Sequence, residues 1–198
     1  MSGNHYQDQD GEQFWIENIR NGDERAFEIL FKKYYEQLTR LTHGYVRSRA
    51  IAEELVQEVF TEIWISRETW YITESLRSYL YRAARNRSLN YLKHQEVKRR
   101  YDPEWMEHHH QPGLPDVDEP VSDEVLREAI RSALEELPER SKTTYKLHRH
   151  DGLTYKEIAA VMGVSVKTVE SHMSKTLKLL RSRLSKFLPV LLSALLRL

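Results

Sequence analysis

Asp151 to Leu184 reads DGLTYKEIAAVMGVSVKTVESHMSKTLKLLRSRL and contains two helix starts only one turn apart. Thr154 and Glu157 stand at capping-box spacing. The hydroxyl accepts the backbone N–H three residues on, the carboxylate accepts the N–H of the cap, and a helix opens at Tyr155. Ile158, Ala159 and Met162 form its apolar side. Gly163 supplies a residue that takes positive φ without steric penalty, and Ser165 caps a second helix from Val166. That helix carries Val169, Met173, Leu177, Leu180 and Leu184 on one stripe, leaving Lys167, Thr168, Glu170, Ser171, Ser174, Lys175 and Lys178 opposite. The pattern is that of a helix-turn-helix whose second helix fits a DNA major groove, because Lys, Ser and Thr contact phosphates and base edges. A plain αα-hairpin with a solvated outer face is the competing reading. The small Ala159 at the helix contact and the glycine at the turn weigh against it.

The 198 residues are enough for two small domains, each with one modest core. The chain has no cysteine, which excludes a disulfide framework and any thiolate metal site. Its opening, MSGNHYQDQDGEQF, has no basic segment followed by an apolar run, so the expectation is a cytoplasmic protein. Formal net charge is zero, but this average conceals blocks. Arg77 to Arg100 holds eight Lys/Arg and one acid, net +7; Asp102 to Glu124 holds eight acids and no Lys/Arg, net −8; Ser141 to Lys186 is again +7. Two basic segments with an acidic one between them point to two DNA-facing surfaces and a self-masking linker.

Apolar residues recur at helical spacing almost throughout, and no period-two run stands out, so the expected fold is all-α. After a short amphipathic start (Phe14, Trp15, Ile19), Asp23 caps a helix with Phe27, Leu30, Phe31, Tyr34, Leu38 and Leu41 inward. A second helix, Ile51 to about Ser66, turns Ala52, Leu55, Val56, Val59, Phe60 and Ile63 inward and Glu53, Glu54, Gln57, Glu58 and Glu62 outward. Arg67 to Glu74 reads as a turn with exposed aromatics. Ser75 then caps a helix from Leu76 to about Gln95, whose apolar side is Leu76, Leu80, Ala83, Ala84 and Leu92. Residues 101–122 hold four of the six prolines and the acidic block, so they read as a flexible linker. Beyond it come a helix from Asp123 to Leu137, a break at Pro138, a helix from about Glu139 to His150, and the helix-turn-helix.

In this arrangement the chain resembles the extracytoplasmic-function (ECF) sigma factors of bacterial RNA polymerase, from about Asn21 to Lys186. NGDERAFEILFKKYY looks like the family's opening helix, AEELVQEVFTEIW (Ala52 to Trp64) like its polymerase-binding helix, and SLRSYLYRAARNRSLNYLK (Ser75 to Lys93) like its promoter-melting helix. LTYKEIAAVMGVSVKTVESHMSKTLKLLR is similar to the promoter-reading helix-turn-helix. The resemblance implies two small helical domains joined by a flexible acidic linker. It divides the chain into an N-terminal extension (1–20), a region-2-like domain for polymerase binding, minus-10 recognition and melting (21–98), the linker (99–122), a region-4-like domain for minus-35 recognition (123–186) and an apolar tail (187–198). Core RNA polymerase and promoter DNA are the implied partners, an anti-sigma factor a further one; no catalysis, cofactor, metal or membrane insertion is implied.

Residue roles follow from the same likeness. An acidic outer face needs a basic partner, which assigns polymerase contacts to Glu54, Gln57, Glu58 and Trp64. Arg82, Arg85, Asn86, Arg87 and Asn90 are assigned to the minus-10 strand, where Arg attracts phosphate and Asn bonds a base edge. In TWYITES, Trp70 and Tyr71 are a stacking wall for a flipped base or else core residues. Lys167, Glu170, Ser171, Ser174, Lys175 and Lys178 are assigned to minus-35 DNA. Glu170 departs from the better-known pattern, which has Arg there; Glu accepts from cytosine N4 and cannot donate to guanine, so the upstream sequence read is expected to differ.

Two features lie apart from this reading. Glu107 and His108 to His110 sit in the Pro-rich linker without a scaffold or supporting partners, so no metal site is expected. The tail FLPVLLSALLRL, nine apolar residues in twelve, is well short of the ~20 that span a bilayer; it is a final packed helix or a partner-binding segment. A response-regulator type of activator also carries a KTVESH-like helix-turn-helix, but it would leave the Ala52 to Trp64 and Ser75 to Lys93 segments unexplained. A hydrolase using the His-rich segment lacks any nucleophile, base and orienter at recognisable spacing.

Overall fold

Short polar side chains start several helices of this chain. Asp23 accepts the backbone N–H groups of Arg25 and Ala26, Ser48 that of Ile51, Ser75 that of Ser78, and Ser165 that of Thr168, so each satisfies donors that the first helical turn leaves unpaired. The computed structural model describes residues 5–73, 75–101 and 124–185, and every regular element among them is helical. The order is α1 (His5–Arg20), α2 (Glu24–Val46), α3 (Arg49–Ile65), a 3-10 turn (Arg67–Thr69), α4 (Leu76–Tyr101), α5 (Glu124–Glu135), α6 (Glu139–Arg149), α7 (Tyr155–Met162) and α8 (Val166–Leu184). The chain divides into two compact units, residues 1–115 and 116–198. The linker reading, the His-rich segment and the tail lie outside the described residues.

In the first unit α2, α3 and α4 pack on one another and α1 lies against α2. The inward face of α3 is the set its period marks out: Ala52, Leu55, Val56, Val59, Phe60 and Ile63 are all buried. Phe60 meets Phe27 and Phe31 of α2 at centroid distances of 6.1 and 4.9 Å. The start of the chain departs from expectation. α1 is a full helix that buries Ile16 and Ile19 and leaves Phe14 63% exposed, since at about 100° per residue Phe14 falls on the opposite face from the packed stripe. Along α4, Leu76, Leu80 and Ala84 are inward as expected, but Leu92 is exposed and Tyr81 takes a core position. Tyr81 tolerates burial because its hydroxyl meets Gln37 Oε1 at 2.9 Å. Trp70 is also buried rather than displayed, packed edge-on against Tyr79 at 5.8 Å.

The second unit is built by α5, α6 and α7 packing on α8. Leu147, Leu153, Ile158, Val161, Val169 and Met173 are fully or nearly fully buried. The turn into α7 is pinned by His148, whose Nδ1 lies 2.8 Å from the Leu153 carbonyl; since a carbonyl only accepts, Nδ1 carries the proton. Leu177, expected inward, is half exposed, and Thr176 is buried in its stead with its hydroxyl donating to the His172 carbonyl at 2.9 Å.

Candidate nucleic-acid and partner interfaces

The capping box forms as the sequence predicts: Thr154 N–H donates to Glu157 Oε2 at 2.8 Å, and Glu157 N–H to Thr154 Oγ1 at 3.3 Å. Gly163 then adopts φ 65°, its N–H bonding Ala159 O, and Val164 N–H reaches the same carbonyl at 3.0 Å. An added Cβ at Gly163 would meet nothing within 4 Å, so the glycine answers a backbone requirement and not a lack of space. With α8 anchored by Val169, Met173, Thr176 and Leu180, its opposite side displays Lys167, Glu170, Ser171, Ser174, Lys175 and Lys178, all exposed. At about 100° per residue Lys167, Ser171, Ser174 and Lys178 form the centre of that face, with Glu170 and Lys175 on its two flanks.

On α4 the same geometry sorts the five residues assigned to a DNA strand. Arg82, Asn86 and Asn90 share the exposed face, whereas Arg85 and Arg87 are half-buried on opposite flanks. Arg87 is engaged within the molecule: its guanidinium places Nη1 3.1 Å from Glu58 Oε2 and Nη2 2.5 Å from Glu62 Oε2, both on α3. Before α4, Tyr71 is 72% exposed, while Arg20 of α1 lies 4.2 Å above its ring and donates to its hydroxyl at 2.8 Å. Glu12, also on α1, accepts the Leu76 N–H at 3.1 Å. The loop between the 3-10 turn and α4 is thus held by two side chains from the start of the chain, a link no sequence period reveals.

The outer face of α3 presents Glu54, Gln57 and Glu58 to solvent, and a shallow open groove runs along it. Ile65 lies in that groove, 74% exposed among acidic neighbours, a position the sequence reading passed over. Trp64 sits on the flank of this face, half-buried, its ring 4.9 Å from Phe27 and 4.7 Å beneath the Arg67 guanidinium. Among the described residues of this unit, two pKa values are shifted by neighbours. A hydrogen bond from Lys32 lowers that of Glu28, and one to Glu53 raises that of Arg49. Among the described residues no group of three His, Asp or Glu side chains is placed to hold a metal, and no helix is long and apolar enough to cross a membrane.

Known proteins share both units. The family model for sigma-70 region 2 matches residues 30–97, and that for sigma-70 region 4 matches residues 127–180. The ECF RNA polymerase sigma-E factor of Escherichia coli K12 is 30% identical over 162 residues, covering 78% of this chain and 84% of its own. The chain belongs to the ECF sigma factors. The RNA polymerase sigma-H factor of Pseudomonas aeruginosa is 27% identical over 164 residues, with 78% and 83% covered. In fold the chain is similar to CnrH, solved with the cytosolic domain of CnrY, at a TM-score of 0.58 and 19% identity over 88% of this chain and 97% of that one. It is also similar to the sigma factor RpoE of Bartonella quintana, solved with the anti-sigma factor NepR, at 0.57 and 18% over 81% and 98%. In this ECF sigma factor the region 2 match begins within α2 and ends within α4; the region 4 match begins within α5 and ends within α8.

Proposed function

We propose that this chain binds core RNA polymerase and directs it to promoters by reading a minus-35 element with α8 and a minus-10 element with α4, which also aids melting. The observation that carries the reading is the polar face of α8, set outward by a capped helix-turn-helix in a chain that also shares region 2 with sigma factors. Lys178, late along α8, is suited to phosphates, and Lys167, Glu170, Ser171, Ser174 and Lys175, nearer its N-terminus, to base edges. Arg82, Asn86 and Asn90 form the strand-binding face of α4, flanked by Arg85 and Arg87. Glu54, Gln57 and Glu58 meet a basic surface of polymerase, with Trp64 at the border and Ile65 as an apolar anchor in the groove. An anti-sigma factor and a cytoplasmic location belong to the same proposal. Sigma factors are regulatory DNA-recognition proteins, and this one works by placing polymerase, not by chemistry of its own.

Run-off transcription from a candidate promoter with purified core polymerase tests the reading. Transcript is expected only when the chain is added, and none in its presence would remove the proposal; activation of an already assembled holoenzyme would favour the activator reading instead.

A further inference from the structure

Arg87 lies where the two proposed surfaces of the first unit meet. On α4 it is about 60° around the helix from Asn90, at the edge of the strand-binding face. Its side chain turns the other way, and its guanidinium spans Glu58 and Glu62, one turn apart on α3. Glu58, Glu62, Ile65 and Arg87 together line the groove on the acidic face. A single cation therefore neutralises carboxylates that a basic partner would seek, and those carboxylates hold a cation that a phosphate would seek.

We infer that Arg87 is a clamp shared between the two binding events: in the free chain Glu58 and Glu62 withhold it from nucleic acid, and a basic partner seated on α3 displaces it toward the strand bound by α4. The inference rests on the functional reading above and adds a mechanism of coupling to it. Displacement is feasible because the side chains are open to solvent, Arg87 being 38%, Glu58 44% and Glu62 64% exposed. Ion pairs at such exposure are weak, so the clamp biases an equilibrium instead of locking it. Coupling of this kind is reciprocal. Strand binding that recruits Arg87 uncovers Glu58 and Glu62 and tightens attachment of the basic partner by the same factor.

The test is an anisotropy titration of a labelled, random-sequence single-stranded DNA oligonucleotide with the full chain over a range of salt. Replacing Glu58 and Glu62 together by Gln keeps their shape and frees Arg87. Affinity is expected to rise by about fivefold, the scale of one exposed ion pair, with the salt slope steeper by about 0.7, the increment of one more phosphate contact on a single strand. In an Arg87→Ala background the same Gln pair is expected to give no gain. An equal gain there would mean that loss of negative charge alone explains the effect, and no gain in either background would mean that the carboxylates do not withhold Arg87; each overturns the clamp. Arg82→Ala separates this from the broader reading. If it weakens binding while the Gln pair changes nothing, the clamp fails and the α4 surface stands. If Arg82→Ala has no effect, or no variant binds, both fall.

Discussion

Gly163 and Arg47 each close a helix in the left-handed region, and they make opposite uses of the same backbone physics. Gly163 at φ 65° ends α7, and Arg47 at φ 58° ends α2, its N–H bonding His43 O at 2.8 Å. Glycine reaches this region freely, whereas a residue with a Cβ is strained there by about 1 kcal/mol. Arg47→Gly is therefore expected to stabilise the first unit by about that amount, and Gly163→Ala to destabilise the second similarly, as read from urea midpoints. A loss at Arg47→Gly would mean that the arginine side chain contributes more than its backbone costs. The helix-turn-helix was legible in the sequence because its signals are of this local kind: a cap, a box and a glycine. Thr176 shows where residue type misleads. Its position falls within the stripe of Val169, Met173 and Leu180, but a threonine reads as polar surface; it is accommodated in the core because the His172 carbonyl accepts its hydroxyl. Leu177 stands on the margin and stays half exposed although it reads as core.

At the scale of elements, α3 was the most readable, its six inward residues being fixed by the helical period alone. What the sequence could not show is that α4 supplies Arg87 to the outer face of α3, or that α1 supplies Glu12 and Arg20 to the loop before α4, since these pairs are 25 to 64 residues apart. Trp70 was undecided in the sequence for a related reason: its burial depends on Tyr79, a partner across the turn. These contacts sharpen the choice of variants. Glu54→Lys tests the α3 interface without breaking the Arg87 clamp, which Glu58→Lys would do. It should abolish co-purification with core polymerase while moving stability by no more than about 0.5 kcal/mol; retained co-purification would remove α3 from the polymerase interface. On α8, Lys178→Ala should weaken binding to all promoters about equally and reduce the salt slope by about one contact, as loss of a phosphate partner does. A preference changed at a single base would instead place Lys178 on a base edge.

For the whole molecule, the charge blocks matter more than their sum of zero. Two basic segments, each partly offset, are expected to hold duplex promoter DNA weakly and without strong preference when the chain is alone. Specific binding should emerge only with core polymerase, which contributes its own DNA contacts. Titrations of promoter and scrambled duplexes at physiological salt, with and without polymerase, check this; full sequence specificity in the free chain would show that its domains need no partner. The central claim is that the outer face of α8 reads bases while polymerase carries the chain. Selection from a promoter library randomised at minus-35, using holoenzyme assembled with wild type, Glu170→Arg or Lys175→Ala, tests it most directly. The wild-type preference should shift at one upstream position with Glu170→Arg, where an acceptor becomes a bidentate donor, and relax at another with Lys175→Ala at a discrimination of about 1–3 kcal/mol. Identical preferred sequences for all three would contradict the claim.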